Sequence, residues 1–285
     1  MPTVSSLAIQ PIVALLSDSV GGDPTQYMIE KAFAHHELDW RFLTLEVSPE
    51  NLADAVRGLR AMGFRGAICG NPHKQAVAPL LERTTEAAAL AGSVDLIFRE
   101  DDDLVGENTQ GKGLLRSLRR VGDPAGMQVV LLGAGKVARA IGVELATAKA
   151  AQITVLNHTQ QHADELAAWL GEKLQVPATS VPWEGDYEVP EGTDLLVNAM
   201  SIAQQDADAR LPLRPESLPS EMIVADVTRD PPRTWLLREA DQRGCTTLGG
   251  LGIYIDQLAI ALKLWTAVEA DCDVMREAIE EFLEL

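Results

Sequence analysis

The stretch Met127–Arg139, MQVVLLGAGKVAR, decides the fold of this chain. Its first half contains the apolar run Val129–Leu132, which is typical of a strand buried on both faces of a parallel sheet. Its second half reads G-x-G-x-x-A from Gly133 to Ala138 and leads into a helical pattern that starts at Arg139. In this strand–turn–helix context, the spacing predicts a loop that binds a dinucleotide.

Three small residues explain why this spacing suits a nucleotide. Gly133 permits the tight turn, Gly135 lets backbone N–H groups approach a pyrophosphate, and Ala138 lets the helix lie close to the strand. The start of that helix offers N–H groups and a positive dipole end to the phosphates. We therefore predict a cofactor loop formed by Gly133, Ala134, Gly135, Lys136 and Val137.

Composition limits the classes of function. A length of 285 residues allows two domains, and the net charge of −18 is too acidic for a general nucleic-acid binder. The three cysteines are far apart and lack zinc spacing, and the five histidines show no metal spacing, so we expect a cytoplasmic protein without a metal. The apolar run Leu7–Leu16 is too short for a membrane span and has no basic residue before it. A small-molecule substrate is the expected partner, with the oligomeric state left open.

Strands alternate with helices along both halves of the chain, which predicts an α/β fold with mostly parallel sheets. In the first half, Asp23 is expected to cap a helix with Gln26 as its reciprocal partner, and another helix is expected from Pro72 to Leu81. A linking helix over 108–121 precedes the break at 122–124. The loop 203–219 is a candidate cover for a bound nicotinamide, and two helices end the chain.

Short motifs in one order run through almost the whole chain. They are Asn71-Pro72-His73-Lys74, Leu104–Gly111, Gly133–Gly135, Asn157-His158-Thr159, Asn198–Ser201 and Gly250–Gln257. The first is similar to I-P-H-K, the second to L-V-G-x-N-T-D-G, and the third to the cofactor loop of the same family. The last three are similar to N-R-T, N-A-T-S and G-L-G-M-L-V-x-Q. The chain thus resembles the shikimate dehydrogenase family.

The resemblance implies a fold and an activity. It implies a substrate domain made of 1–121 and 253–285, and a Rossmann-type doubly wound NAD(P) domain over 122–252, with the C-terminal helices returning to the first domain. The implied reaction interconverts an alcohol and a ketone on a small polar ring such as shikimate, with hydride exchanged at the nicotinamide, as a step of aromatic amino acid biosynthesis. Lys74 falls on the family's catalytic lysine, and Gln110 falls on its catalytic aspartate.

Departures from the family pattern cluster around the implied substrate pocket. An amide at Gln110 cannot accept or release a proton near neutral pH. The S-L-S contact becomes Asp23-Pro24-Thr25, N-V-T becomes Ile68-Cys69-Gly70, and an asparagine becomes Asp95. The candidate substrate-binding residues are Asp23, Thr25, Asp95, Asn108 and Gln257.

Two of these acidic residues have a second interpretation. Asp23 is either a helix cap or a substrate ligand. Asp95 either replaces the missing carboxylate, if it reaches Lys74, or only forms a turn at the end of a strand.

The candidate cofactor residues at the end of the second nucleotide-domain strand are Asn157, His158 and Thr159. No acidic residue stands there to bind a ribose 2′-hydroxyl, which argues against a plain NAD site. His158 occupies the position of the family's phosphate-binding arginine, and a histidine binds a phosphate more weakly. We expect NADP, with NAD as the alternative, and the resemblance adds Met200 and Gly250 to the cofactor site.

Two alternatives to a shikimate-type dehydrogenase remain open. The first is a dehydrogenase for a quinate-like or amino-substituted ring. The second is a nucleotide-binding regulatory protein of impaired catalysis, which Gln110 favours.

Overall fold

The computed structural model describes residues 10–200, 206 and 208–284. Packing divides the chain into two compact units. The first contains residues up to Thr109 together with those from Leu258 onward, and the second is Gln110–Gln257. These bounds place 110–121 and 253–257 in the second unit, whereas the expected substrate domain included both segments.

A six-stranded sheet forms the centre of the first unit. Its strands are β1 (Ile12–Ser17), β2 (Arg41–Glu46), β3 (Gly66–Cys69), β4 (Arg83–Thr84), β5 (Leu96–Glu100) and β6 (Asp103–Glu107). Their order is β2-β1-β3-β5-β6-β4. β1 pairs in parallel with β2 and β3, and β4 with β6, whereas β5 is antiparallel to both neighbours. The β5–β6 hairpin therefore carries Asp95 and Asn108 at the ends of two adjacent strands.

Four helices precede the second unit: α1 (Thr25–His35), α2 (Leu52–Ala61), α3 (His73–Ala76) and α4 (Glu86–Ala91). The expected helix from Pro72 to Leu81 is wrong, because α3 is one turn followed by a 3-10 turn over Ala78–Leu80. Pro79 has no N–H to continue the α-helical ladder. The expected capping pair of Asp23 and Gln26 is also wrong. Pro24 stands at the cap position, and Asp23 Oδ1 instead accepts from the N–H of Thr25 at 2.9 Å.

The second unit contains a fully parallel sheet. Its strands are β7 (Gln128–Leu132), β8 (Gln152–Leu156), β9 (Ala178–Ser180), β10 (Leu195–Asn198), β11 (Ile223–Asp226) and β12 (Thr246–Leu248). They are ordered β12-β11-β10-β7-β8-β9. This is the doubly wound order, whose ligand crevice opens at the carboxyl ends of the strands where the order reverses, here between β7 and β10. The predicted fold class is confirmed.

The helices of this unit are α5 (Gln110–Leu118), α6 (Lys136–Thr147), α7 (Gln160–Leu174) and α8 (Trp235–Gln242). α5 begins at Gln110 rather than at Asn108 as expected, and the backbone N–H of Thr109 just before it donates to the side chain of Asp95. A side chain at Gly111 would collide with the carbonyl of Ala140 on α6. This close contact explains why α5 groups with the nucleotide-type sheet.

Two helices end the chain, α9 (Gly250–Thr266) and α10 (Cys272–Leu283). The buried carboxylate of Asp256 on α9 accepts from Ser117 and from Arg120 on and just after α5. The indole of Trp265 donates to the Ile97 carbonyl at 2.9 Å and fixes the later part of α9 in the first unit. No described helix is long and apolar enough to cross a membrane.

Candidate active site

The glycine loop joins β7 to α6 with the geometry that the sequence predicts. Gly133 has φ +111°, in the region that favours glycine. A Cβ added at this residue would lie 3.1 Å from the Met200 side chain and 3.2 Å from the Ala199 carbonyl, which is tight. A Cβ at Gly135 would meet no atom of the described residues within 4 Å. The backbone at the start of α6 is thus open where a pyrophosphate would approach, so this loop fits a dinucleotide.

The end of β8 carries the candidate residues for the adenosine side. Asn157 is buried, and its Nδ2 donates to the Thr159 carbonyl at 3.1 Å, which shapes the turn into α7. His158 is exposed on this turn, and it is the single basic side chain among residues 157–160. The arrangement leaves His158 accessible to a phosphate and provides no carboxylate for a ribose hydroxyl.

A polar cluster that sequence reasoning missed lies at the carboxyl ends of β10 and β11. Asp226 is fully buried and accepts from Asn198 Nδ2 at 3.1 Å, from Thr234 Oγ1 at 2.8 Å and from the Thr228 N–H at 3.0 Å. Asn198 Oδ1 in turn accepts from the N–H of Met200 at 3.1 Å. The sequence contained a signal for this cluster, because Asp226 is an acidic residue at the end of an apolar strand.

Met200 and Gly250 border this cluster. Gly250 has no room for a side chain, because a Cβ would collide with the carbonyl of Thr228. Ser201 of the fifth motif and the first part of the predicted loop 203–219 lie outside the described residues.

Lys74 follows a tightly held turn in the first unit. The preceding His73 is buried, and its Nε2 lies 2.7 Å from the Val47 carbonyl. The Lys74 carbonyl accepts from the N–H of Val94 at 2.7 Å. These contacts fix the backbone of Lys74 beside the segment that leads to Asp95, while its side chain is half-buried.

Asp95 is buried at the start of β5. Its Oδ1 accepts from the N–H of Thr109 at 2.7 Å and from the Thr109 hydroxyl at 3.0 Å. Its Oδ2 is buried and has no hydrogen-bond partner among the described residues. Burial raises the pKa of Asp95, although the nearby Lys74 ammonium and the bonds from Thr109 oppose this shift.

The Cys69 thiol, at the end of β3, is influenced by the charges of both Asp95 and Lys74. Burial and, to a smaller extent, the charge of Asp95 raise its pKa to about 12, although the charge of Lys74 opposes this shift. The structure thus brings together Lys74 and Asp95 of the predicted residues. Cys69 is an inert buried thiol rather than a nucleophile, since the thiolate is the reactive form.

Asn108 lies next to this pair but uses its amide within the protein. Its Nδ2 donates to the carbonyl and the hydroxyl of Ser93 at 3.1 and 3.0 Å. The neighbouring Glu107 accepts from the Asn108 N–H at 2.7 Å and from the Thr85 hydroxyl at 2.9 Å. The predicted substrate contact of Asn108 stays a prediction.

The other candidates lie further along the chain or in the second unit. Thr25 is fully buried as the first residue of α1, and Asp23 is partly exposed just before it. Gln110 begins α5, and Gln257 lies on α9 where it packs against Gly113. Among the residues that the structure describes, no group of three or more His, Cys, Asp or Glu side chains could hold a metal ion.

Comparison with known proteins places this arrangement in a family. The model "Shikimate dehydrogenase substrate binding domain" matches residues 23–97, and "Shikimate / quinate 5-dehydrogenase" matches 117–181. The shikimate dehydrogenase (NADP(+)) of Methanopyrus kandleri is 37% identical over 99% of each chain. The chain belongs to the shikimate dehydrogenase family and is an oxidoreductase, which confirms the sequence-based prediction.

Two solved structures are similar over almost their whole length. The ligand-free 5-ketofructose reductase of Gluconobacter sp. strain CHM43 has a TM-score of 0.93 at 40% identity, covering 96% of this chain and 99% of that chain. A shikimate dehydrogenase in complex with NADP⁺ has a TM-score of 0.87 at 31% identity, covering 95% of each chain.

Proposed function

We propose that this protein catalyses the NADP-linked interconversion of a secondary alcohol and a ketone on a small polyhydroxylated compound of the shikimate kind. The observation that carries the proposal is the fixed position of Lys74 beside the buried carboxyl of Asp95. The open glycine loop and the NADP⁺-dependent relatives support the choice of cofactor. The cytoplasmic location stays a prediction.

Each group of residues has a distinct role in this proposal. Bound NADP supplies the hydride acceptor or donor. The loop Gly133–Val137 binds the pyrophosphate, Asn157–Thr159 bind the adenosine end, and Met200 and Gly250 border the nicotinamide. In ketone reduction, the Lys74 ammonium donates a proton to the oxygen that gains negative charge, and the amine takes a proton back in alcohol oxidation.

A second candidate is the reduction of a neutral keto sugar. The 5-ketofructose reductase is 40% identical over nearly the whole chain, and its name does not imply a carboxylate on the substrate. Asp23 also places an acidic group where the family resemblance implies a serine contact to substrate. If that group faces the substrate, it repels a carboxylate and accepts hydrogen bonds from sugar hydroxyls.

The absorbance of the reduced nicotinamide distinguishes these candidates. The panel contains shikimate, quinate, an amino-substituted ring analogue and 5-ketofructose, each with both the phosphorylated and the unphosphorylated cofactor. We expect turnover with the phosphorylated cofactor, and a loss of about a hundredfold or more in Lys74→Met at unchanged cofactor affinity. NADP binding without turnover of any compound would instead indicate a regulatory protein.

A further inference from the structure

The chain exchanges an amide and a carboxylate between two positions of its proposed active site. The resemblance places a catalytic aspartate at Gln110 and an asparagine at Asp95, so each position carries the other's chemical group. Gln110 retains a hydrogen-bonding side chain but cannot hold a proton near neutral pH. Of these two positions, one therefore still carries a carboxylate, but it is position 95 rather than position 110.

The two carboxyl oxygens of Asp95 differ in their hydrogen bonds. The N–H and the hydroxyl of Thr109 both donate to Oδ1, whereas Oδ2 is buried without a hydrogen-bond partner among the described residues. A buried carboxylate oxygen without a donor is costly unless a cation compensates for it. The charge of Lys74 acts on this carboxyl, and its backbone is held one residue away through the N–H of Val94.

The neighbouring carboxylate of Glu107 provides a comparison, because its hydrogen bonds connect secondary-structure elements. Glu107 is also buried, and its Oε1 accepts from Thr85 Oγ1 and from the N–H of Asn108, which joins β6 to the start of α4. Asp95 differs in its second oxygen, since Oδ2 is buried without a hydrogen-bond partner among the described residues. The titratable groups that act on Asp95 are Cys69, Lys74 and Glu107.

We propose that Asp95 is the positioning carboxylate of Lys74 and takes over the task that the family assigns to the residue at Gln110. The inference rests on the proposed function. The anionic carboxylate attracts the ammonium, orients its N–H bonds and stabilises the protonated amine before it donates. Asp95 itself touches neither substrate nor cofactor in this role.

The proposal predicts that kcat declines at low pH as Asp95 takes up a proton, and this part of the pH profile is called the acid limb below. Burial raises the pKa of Asp95, so the carboxylate takes up a proton at a higher pH than an exposed one. As the pH falls through that pKa, the attraction to Lys74 is lost and kcat declines. Replacement by asparagine removes the limb altogether.

The test compares wild type, Asp95→Asn, Gln110→Asp and the double variant. We expect Asp95→Asn to lower kcat about a hundredfold with little change in KM, since a misplaced proton donor affects the chemical step. Adding Gln110→Asp to Asp95→Asn returns a carboxylate to the position where the family has its aspartate. We expect this double variant to have a kcat at least about tenfold higher than that of Asp95→Asn alone. Wild-type kcat and an unchanged acid limb in Asp95→Asn would overturn the proposal while leaving the function intact.

Glu107→Gln is the matched control, because it removes a second buried carboxylate from the same region. We expect it to affect stability, with the acid limb retained and moved to slightly lower pH, since the Glu107 charge raises the pKa of Asp95. Loss of the limb in this variant as well would contradict a specific role for Asp95.

A second measurement does not depend on turnover. Amine acylation at pH 8, read by mass spectrometry, reports how well Lys74 is held as an ammonium. Lys74 should react about tenfold faster in Asp95→Asn than in wild type, with the reactivity of Lys136 and Lys149 unchanged. Equal rates in both proteins would overturn the proposal even if no substrate in the panel is turned over.

Discussion

Asp95 is a buried carboxyl of which Oδ1 alone has hydrogen-bond partners among the described residues, and its burial has a consequence for stability. Burial raises its pKa above the value in the unfolded chain, so the folded state binds the proton more tightly. The stabilising contribution is full below the unfolded pKa and is lost as the pH rises through the folded pKa. Above the unfolded pKa, burial of this carboxyl therefore destabilises the fold relative to the unfolded chain.

Asp95→Asn is expected to raise Tm at pH 8, because the amide keeps the Oδ1 contact with Thr109 and removes a carboxyl whose ionised form burial disfavours. The gain should shrink as the pH falls from the raised pKa of Asp95 toward about 4, the ordinary range of an aspartate, and should be absent below it. For scale, about 1 kcal/mol shifts Tm by about 2–4 °C in chains of 150–250 residues. Thermal unfolding across this pH range measures the effect, and a lower Tm at pH 8 would mean that Lys74 more than offsets the burial.

The sequence was informative about some site residues and silent about others. Lys74 could be predicted, because it stands in a motif at the start of a helix. The environment of Asp95 could not, because an aspartate at a strand end is also an ordinary turn former and the bonds from Thr109 depend on pairing between β5 and β6. Asp226 was missed because its contact with Asn198 depends on the pairing of β10 with β11, while Thr228 and Thr234 donate from the segment between β11 and α8.

At the level of elements, the two glycines of the β7–α6 turn differ in whether the backbone conformation and the surrounding atoms require a glycine. Gly133 requires its left-handed conformation and is closely surrounded by Ala199 and Met200. Gly135 has φ −80°, which any residue can adopt, and open space around its Cα. No described residue requires a glycine at 135, which agrees with the proposed contact to a pyrophosphate.

Gly135→Val is therefore expected to fold with nearly unchanged Tm and to lose cofactor binding. Charge-assisted bonds to a phosphate contribute about 1.5–3 kcal/mol each, so losing one or two lowers affinity by about tenfold to a hundredfold or more. Calorimetric titration with NADP measures it. Gly133→Ala is the contrasting variant, because it should lower Tm; unchanged affinity in Gly135→Val would show that phosphates do not approach this loop.

Elements differ in how well the sequence predicts them. The long strands and helices of the second unit follow from apolar runs and periodicity, as for β7 and α6. The segment 72–81 was predicted as one helix because its pattern is helical, yet Pro79 divides it into two short turns. Just before α5, Thr109 bonds to Asp95, which is 14 residues earlier in the chain and lies beyond the reach of a local pattern.

On the scale of the whole molecule, the net charge of −18 acts on every charged ligand. NADP carries phosphates, so the average field of the protein repels it, while the start of α6, Lys136 and His158 attract it locally. Salt screens the long-range part first, because the Debye length is about 10 Å at 0.1 M and 30 Å at 0.01 M. The two contributions therefore differ in their response to ionic strength.

The association rate of NADP is expected to rise roughly two- to fivefold between about 0.01 and 0.15 M salt, since screening of a distant repulsion favours encounter. Stopped-flow fluorescence of the reduced cofactor measures it. Glu277→Lys/Glu280→Lys changes the net charge from −18 to −14, two residues at two charges each, on exposed positions of α10. If the whole-molecule field matters, this variant binds faster at low salt and responds less to salt. A rate that falls with salt in both proteins would show that Lys136 and His158 dominate the encounter instead.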